Sequence, residues 1–209
     1  MHRGSVPEYI GSVNDRTNYQ PIHERNHAMT LWKIDPAHSE INFKVKHLVV
    51  STVTGHFDTF NATIEAGKED FSDAIITFEA EVNSINTKNV QRDGHLKSPD
   101  FFDAATYPKM SFVSSSVKKF SDYELQVTGT LTMRGISKEV TLDVIYNGTV
   151  AGFGGNQVAG FEITGKLNRF DFGLQWSALT ETGGVVVSNE VKIEILAEFN
   201  KAQEQAKAA

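Results

Sequence analysis

From Trp32 to Ala197 the chain alternates apolar and polar residues in run after run, and short turns join the runs where helices could have stood. Ile41, Phe43 and Val45 alternate with Asn42, Lys44 and Lys46, and Ile76, Phe78, Ala80 and Val82 with Thr77, Glu79 and Glu81. The same spacing returns at Met110 and Phe112, at Leu125 through Met133, at Val140 through Tyr146, at Phe161 through Leu167, and at Val191 through Ala197. A period of two is the signature of a strand with one buried face. Gly67 to Asp70, Ser121-Asp122 and Arg134-Gly135 supply turns, with Asn147-Gly148 and Gly152 to Gly155 as looser turn material. Parallel strands need helical crossovers between them, whereas short turns join most of these runs, so the sheet is predicted to be antiparallel.

About eight such strands fit a sandwich or a barrel. Gly129 and Gly165 fall in mid-strand on inward faces. Glycine there marks a sharp bend or a close backbone approach, which a closing sheet requires. The expectation is therefore an all-β fold, an antiparallel barrel of about eight strands. At that size the interior is just wide enough to be filled by side chains or to hold one slender ligand.

One stretch breaks the alternation. Gln91 to Asp103 packs Arg92, Asp93, His95, Leu96, Phe101 and Phe102 around Pro99, and Tyr107-Pro108 follows. A half-buried strand has no use for so many charges beside adjacent phenylalanines. A plug across one end of a barrel does. Residues 86–106 are thus read as an insertion with short helical segments: one over Asn89 to Leu96, and a second opened by Ser98 as cap and Pro99 as first helical residue. Arg169 to Gly184 is a second long loop. Its Phe170 and Phe172 are expected to help cover a barrel end, and Trp176 to do loop packing.

Composition removes several classes. A formal net charge of -6 with no basic block lacks the electrostatic footprint of a nucleic-acid groove. An acidic chain gains nothing from an anionic membrane, and no apolar run approaches the ~20 residues of a spanning helix, so no stable membrane insertion is expected. Cysteine is absent, which removes disulfides, thiol catalysis and thiolate metal sites. His38, His47, His56 and His95 match no metal-ligand spacing, and no Gly-x-Ser-x-Gly elbow supports a hydrolase. Residues 1–28 are polar and aperiodic, without the apolar region of a secretory signal, and are read as a disordered or extended leader. A barrel domain over 29–200 and a polar tail over 201–209 complete the division.

Several motifs carry a family resemblance. They are Trp32-x-Ile34-Asp35-x-x-His38-Ser39 with Phe43, Val45 and His47, then Gly55-x-Phe57, then Arg92-Asp93-x-His95-Leu96-Lys97-Ser98-Pro99-Asp100-Phe101-Phe102-Asp103 and Tyr107-Pro108-x-x-Ser111-Phe112. Gly129-x-Leu131-Thr132-Met133-x-Gly135, Arg169-x-Asp171-Phe172-Gly173-Leu174 and Ser188-Asn189-Glu190-Val191 follow in order. From about Trp32 to Phe199 the chain resembles the YceI-like, polyisoprenoid-binding proteins. The resemblance implies a lipocalin-like barrel and a non-enzymatic carrier, without cofactor or metal, that holds a polyisoprenoid, an isoprenoid quinone or a fatty-acid derivative. It also implies a homodimer. Many such proteins are periplasmic. The leader read above makes cytoplasmic the expectation here, with periplasmic as the alternative.

Candidate ligand-binding residues follow from the inward faces and the plug: Phe43, Val45, His47, Phe57, Phe78, Met110, Phe112, Leu131, Met133, Leu142 and Ile163, with Leu96, Phe101, Phe102, Phe170 and Phe172 at the ends. Arg92, Asp93 and His95 either meet a head group at the mouth or fasten the plug to the barrel. An ordinary packed core is the competing reading of the interior, and with it a filled barrel used as an interaction module. Burying one five-carbon isoprene unit is worth on the order of 3–4 kcal/mol at about 0.8 kcal/mol per methylene. A few units approach the practical ceiling of non-covalent affinity, so apolar length alone suffices for binding.

Overall fold

The computed structural model describes residues 28–152, 154–179, 184 and 186–203. All but the last residue of the expected leader, and the tail beyond residue 203, lie outside the described residues. The strands are β1 (Thr30–Ile34), β2 (Glu40–His47), β3 (Ser51–Phe57), β4 (Phe60–Ala66), β5 (Ile75–Glu81), β6 (Ile85–Asn86), β7 (Lys109–Lys119), β8 (Glu124–Met133), β9 (Ile136–Ala151), β10 (Gln157–Asn168) and β11 (Val187–Lys201). One α-helix, α1 (Val90–Lys97), stands between β6 and β7.

The strands form one sheet in the order β1-β4-β5-β7-β8-β9-β10-β11-β2-β3-β6, and β1 also pairs with β11. That extra pairing closes β1, β4, β5, β7, β8, β9, β10 and β11 into an antiparallel eight-stranded barrel, as the alternation predicts. The strand β11 carries the seam. Its far end pairs with β1, as Ile34↔Phe199, and its near end with β2, from Glu40↔Leu196 to His47↔Val187. So β1 and β2 are two lengths of one path along β11, broken over Asp35 to Ser39. The break is a single 3-10 turn, Pro36–His38. The Asp35 carboxylate caps it by accepting from Ala37 N at 2.9 Å. The peptide N–H of Glu198 on β11 donates to Ser39 Oγ at 3.0 Å, which stitches the break to the seam.

The break lets the wall flare. Past it, β2, β3 and β6 replace β1, β4 and β5 on one side, and the gap from β6 to β7 is left to α1 and the turns after it. Asn89 caps α1, its side-chain oxygen accepting from Arg92 N at 2.9 Å. The second helix expected after Ser98 does not form. The chain folds back on the end of α1 instead: Phe102 N donates to Leu96 O, Asp103 N to Ser98 O and Ala104 N to Lys97 O. Asp103 takes φ 50, a left-handed value that stops a helix from propagating. Asn147-Gly148 is likewise no turn. It lies inside the sixteen-residue β9, where Asn147 is the unpaired residue of a bulge between Gly160 and Phe161 of β10.

Two glycines show how the wall takes large inward side chains. Gly55 is paired across the strands with Phe43, and a Cβ on it would stand 2.3 Å from a carbon of the Phe43 ring. At Gly129 a Cβ would strike both the Phe112 ring and the Val113 carbonyl oxygen. The rings lie flat over bare backbone, and a methyl there has nowhere to go. By contrast, a Cβ on Gly94 within α1 meets nothing within 4 Å. Gly129→Ala is expected to destabilise the protein by about 1–3 kcal/mol through overpacking. Gly94→Ala should stabilise it by up to about 1 kcal/mol through helix propensity. Urea unfolding of the two variants beside the parent checks the contrast in sign.

Candidate functional site

The inward side chains do not meet. They surround a cavity of about 440 Å³ inside the barrel. On β11 alone, Val187, Val191, Ile193, Ile195, Ala197 and Phe199 all line it, so the cavity follows the strand. At about 3.3 Å per residue that path is roughly 35–40 Å long. Phe43, Val45, Phe78, Leu142 and Ile163 point inward yet are only partly buried, because the surface they keep faces this space. The barrel is not filled by its own side chains.

The end near β1 is stopped by aromatic rings. Phe71 is the centre of the stopper, at 5.3 Å from Trp32, 5.2 Å from Tyr146 and 5.1 Å from Phe161, all edge-on. Edge-to-face contacts at these distances are favourable beyond the area they bury. Phe71 is 2% exposed and takes φ 56, a value few bulky residues adopt. Its neighbours hold it there. Asp70 accepts from Ser72 N at 3.1 Å and pairs with Lys119 of β7 at 2.9 Å. The Lys119 ammonium, helped by the Ser72 N–H, holds the Asp70 carboxyl down to about 2.

The opposite end is bordered by Lys46, His47, Val186, Val187, His95 and Trp176. Arg169 builds this rim. It is 4% exposed, and its guanidinium donates to the carbonyls of Leu174 at 2.5 Å, Trp176 at 2.8 Å and Ser188 at 3.0 Å. Burial lowers its pKa, but an arginine stays charged in such a site. Those bonds curl the chain so that Trp176 lies 5.3 Å from Phe101 and 5.1 Å from His95. His95 in turn bonds Asp100 at 2.9 Å.

Of the nineteen candidate residues, sixteen line the cavity: Phe43, Val45, His47, Phe57, Phe78, Arg92, His95, Leu96, Phe101, Phe102, Met110, Phe112, Leu131, Met133, Leu142 and Ile163. Asp93, Phe170 and Phe172 do not. Asp93 turns to Thr87, accepting from its N–H at 2.9 Å and its hydroxyl at 2.5 Å. Arg92 meets the same residue, with Nε donating to Thr87 Oγ1 and Nη2 to Thr87 O, both at 2.7 Å. The pair thus fastens α1 to the end of β6, the structural alternative of the two readings, although Arg92 also touches the cavity. Phe172 is 2% exposed within the core, and Phe170 lies against the Arg169 guanidinium at 4.5 Å. On a one-turn 3-10 helix, Arg169–Phe172, the two rings cannot share a face. Trp176, expected to do loop packing, lines the cavity instead. Its placement depends on the buried Arg169, which carries no periodic signal. Also missed were Thr87 and the inward row of β11, the latter plain in the alternation but not chosen.

The histidines do not gather. His38, His56 and His95 each lie against a different carboxylate, Asp35, Asp58 and Asp100. Among the described residues one group, Asp35, His38 and Glu198, places three ligand-type atoms within 4.8 Å of one another. Asp35 and His38 are there an ion pair at 3.1 Å, which lowers the pKa of the acid and raises that of the base.

A closed antiparallel barrel around a long apolar cavity defines a lipocalin-like architecture. The YceI-like domain model matches residues 32–199, and the chain belongs to that family. It is 43% identical over 173 residues to a UPF0312 protein of Staphylococcus aureus (strain MSSA476), covering 82% of this chain and 98% of that one. Among solved structures, the Campylobacter jejuni YceI protein is 33% identical with a TM-score of 0.65, over 76% of this chain and 90% of that one. A polyisoprenoid binding domain from Saccharophagus degradans shares the fold, with a TM-score of 0.55 at 15% identity over 82% of this chain and 98% of that one.

The Asp70 lock gives a pH dependence of definite sign. A carboxyl lowered from 3.8 to about 2 adds stability above pH ~4 that is lost as pH falls towards 2. Asp70→Asn should therefore be less stable than the parent at neutral pH, and the two should converge between pH ~4 and ~2. Thermal melts across that range measure the difference.

Proposed function

We propose that the protein is a non-enzymatic carrier that holds one long apolar chain, a polyisoprenoid, an isoprenoid-quinone tail or a fatty-acid derivative, extended inside the barrel. The observation that carries this reading is the shape and chemistry of the cavity. Its volume lies within the range of about 300–1,000 Å³ usual for small-molecule sites. Drawn out along β11, that volume gives the width of a single chain. A compact ring system would need a wider chamber.

Energetics point the same way. An empty apolar cavity forgoes packing worth about 24 cal/mol per Å³. For 440 Å³ that is on the order of 10 kcal/mol, comparable to the whole stability of an ordinary domain. A methyl-rich occupant recovers that loss. Membership of the YceI-like family agrees with a binding role. The name of the Saccharophagus degradans domain suggests the ligand class, while its likeness here is one of fold. Arg92, His95 and Lys46 line the cavity, and a head group would rest against them.

Native mass spectrometry of detergent-free protein, followed by solvent extraction, tests the reading. The expected result is a co-purifying long-chain lipid, and apo protein with no affinity for prenols or fatty amides overturns it. In titrations with a neutral prenol, Ile163→Trp should weaken binding at least tenfold by filling the bore. Arg92→Ala should change it less than about threefold, because apolar burial dominates. Equal losses would assign the binding to the polar rim.

A further inference from the structure

The β2–β3 hairpin ends in an apolar tip. Leu48, Val49 and Val50 are 39%, 77% and 85% exposed. Leu48 and Val49 take φ 52 and 64, so a β-branched residue is kept in a left-handed turn where glycine or asparagine would sit without strain. Leu48 N donates to Val186 O, and Val186 N to Ala178 O, which brings the 67%-exposed Leu179 alongside. The strip is continuous with the cavity, since Val45, Lys46, His47, Val53 and Val186, beside the tip on both strands and on the neighbouring segment, all line it.

We infer that this tip docks on a phospholipid bilayer, dipping its apolar side chains into the interface so that the cavity mouth opens against the membrane. The inference rests on the carrier reading above and names the surface that the carrier works on. Three observations select a bilayer as the occupant. The first is size: among the described residues the tip presents four apolar side chains, far short of the roughly 20–30 residues a side that a stable protein interface uses. The second is local charge. From Lys44 to Gly55 the chain has two lysines and no acid, within a protein of net charge -6. Lys44 is paired with Glu194, whereas the exposed Lys46 ammonium has no partner among the described residues and can meet lipid phosphate. The third is continuity, because an apolar chain leaving the bore at this end reaches the tip before it reaches water.

The test uses full-length protein and phosphatidylcholine vesicles, with and without phosphatidylglycerol, in a co-sedimentation assay. The parent should bind, and the double variant Val49→Asp/Val50→Asp should bind at least tenfold more weakly, since each buried valine contributes about a factor of ten or more. Val150→Asp, at a 67%-exposed site on β9 away from the mouth, should bind as the parent does. As a second readout, Val50→Trp should shift its emission to the blue on adding vesicles. Parent protein that ignores vesicles, or a tip variant that binds them unchanged, overturns the inference. So does self-association that the tip variant abolishes while vesicle binding is absent. Uptake of farnesol delivered from cyclodextrin is measured separately. Its failure sinks the carrier reading, and the vesicle result still decides the role of the tip.

Discussion

Everything else depends on how β11 is shared. One strand of fifteen residues pairs with β10 from Glu190 to Asn200 on one side, and with β1 and β2 in succession on the other. The β1 pairing spans only Trp32 to Ile34, yet without it the barrel would be an open sheet, with β1 and the far end of β11 left bare. The break between β1 and β2 is therefore held firmly, by the Asp35 cap, by Asp35 N donating to Glu198 O, and by the Ser39 hydroxyl. A wall that changes partners part-way along can be tight at one end and wide at the other. The bore needs both.

The fold was largely legible, because alternation is a local property of sequence and barrel closure preserves it in every strand. Phe43, Phe112, Leu131 and Ile163 point inward for the reason their spacing gave. Glycine positions were legible for a related reason: Gly129 stands where a Phe112 ring must lie flat, and no other residue leaves that space. What failed were features that depend on distant partners. Asn147-Gly148 reads as a turn by composition, but cross-strand bonding to β10 carries the strand straight through it with a bulge. Ser98-Pro99 reads as a helix start, but the backbone carbonyls of α1 capture the following N–H groups first.

The site was legible in its apolar part and obscure in its polar part. A phenylalanine on an inward face has one place to go. Arg92 and Asp93 had two, and the decision lay with Thr87, a residue with no signal of its own, which both of them bond. Arg169 is the clearest case. A buried arginine that bonds carbonyls and shapes a loop from within looks, in sequence, like any charged residue at a strand end. Trp176 follows it to the rim.

The stopper at Phe71 has a further consequence. A tube blocked at one end has a polarity and a scale. A hydrocarbon held there would enter tail foremost, and its last carbon would come to rest against Phe71 and Phe161 each time. Distance from Phe71 then works as a ruler. Chains shorter than the bore leave a void behind them, and longer ones are left projecting past the rim. The apolar bore would thus grade its occupants by length, leaving any recognition of chemistry to the polar residues that line the other end.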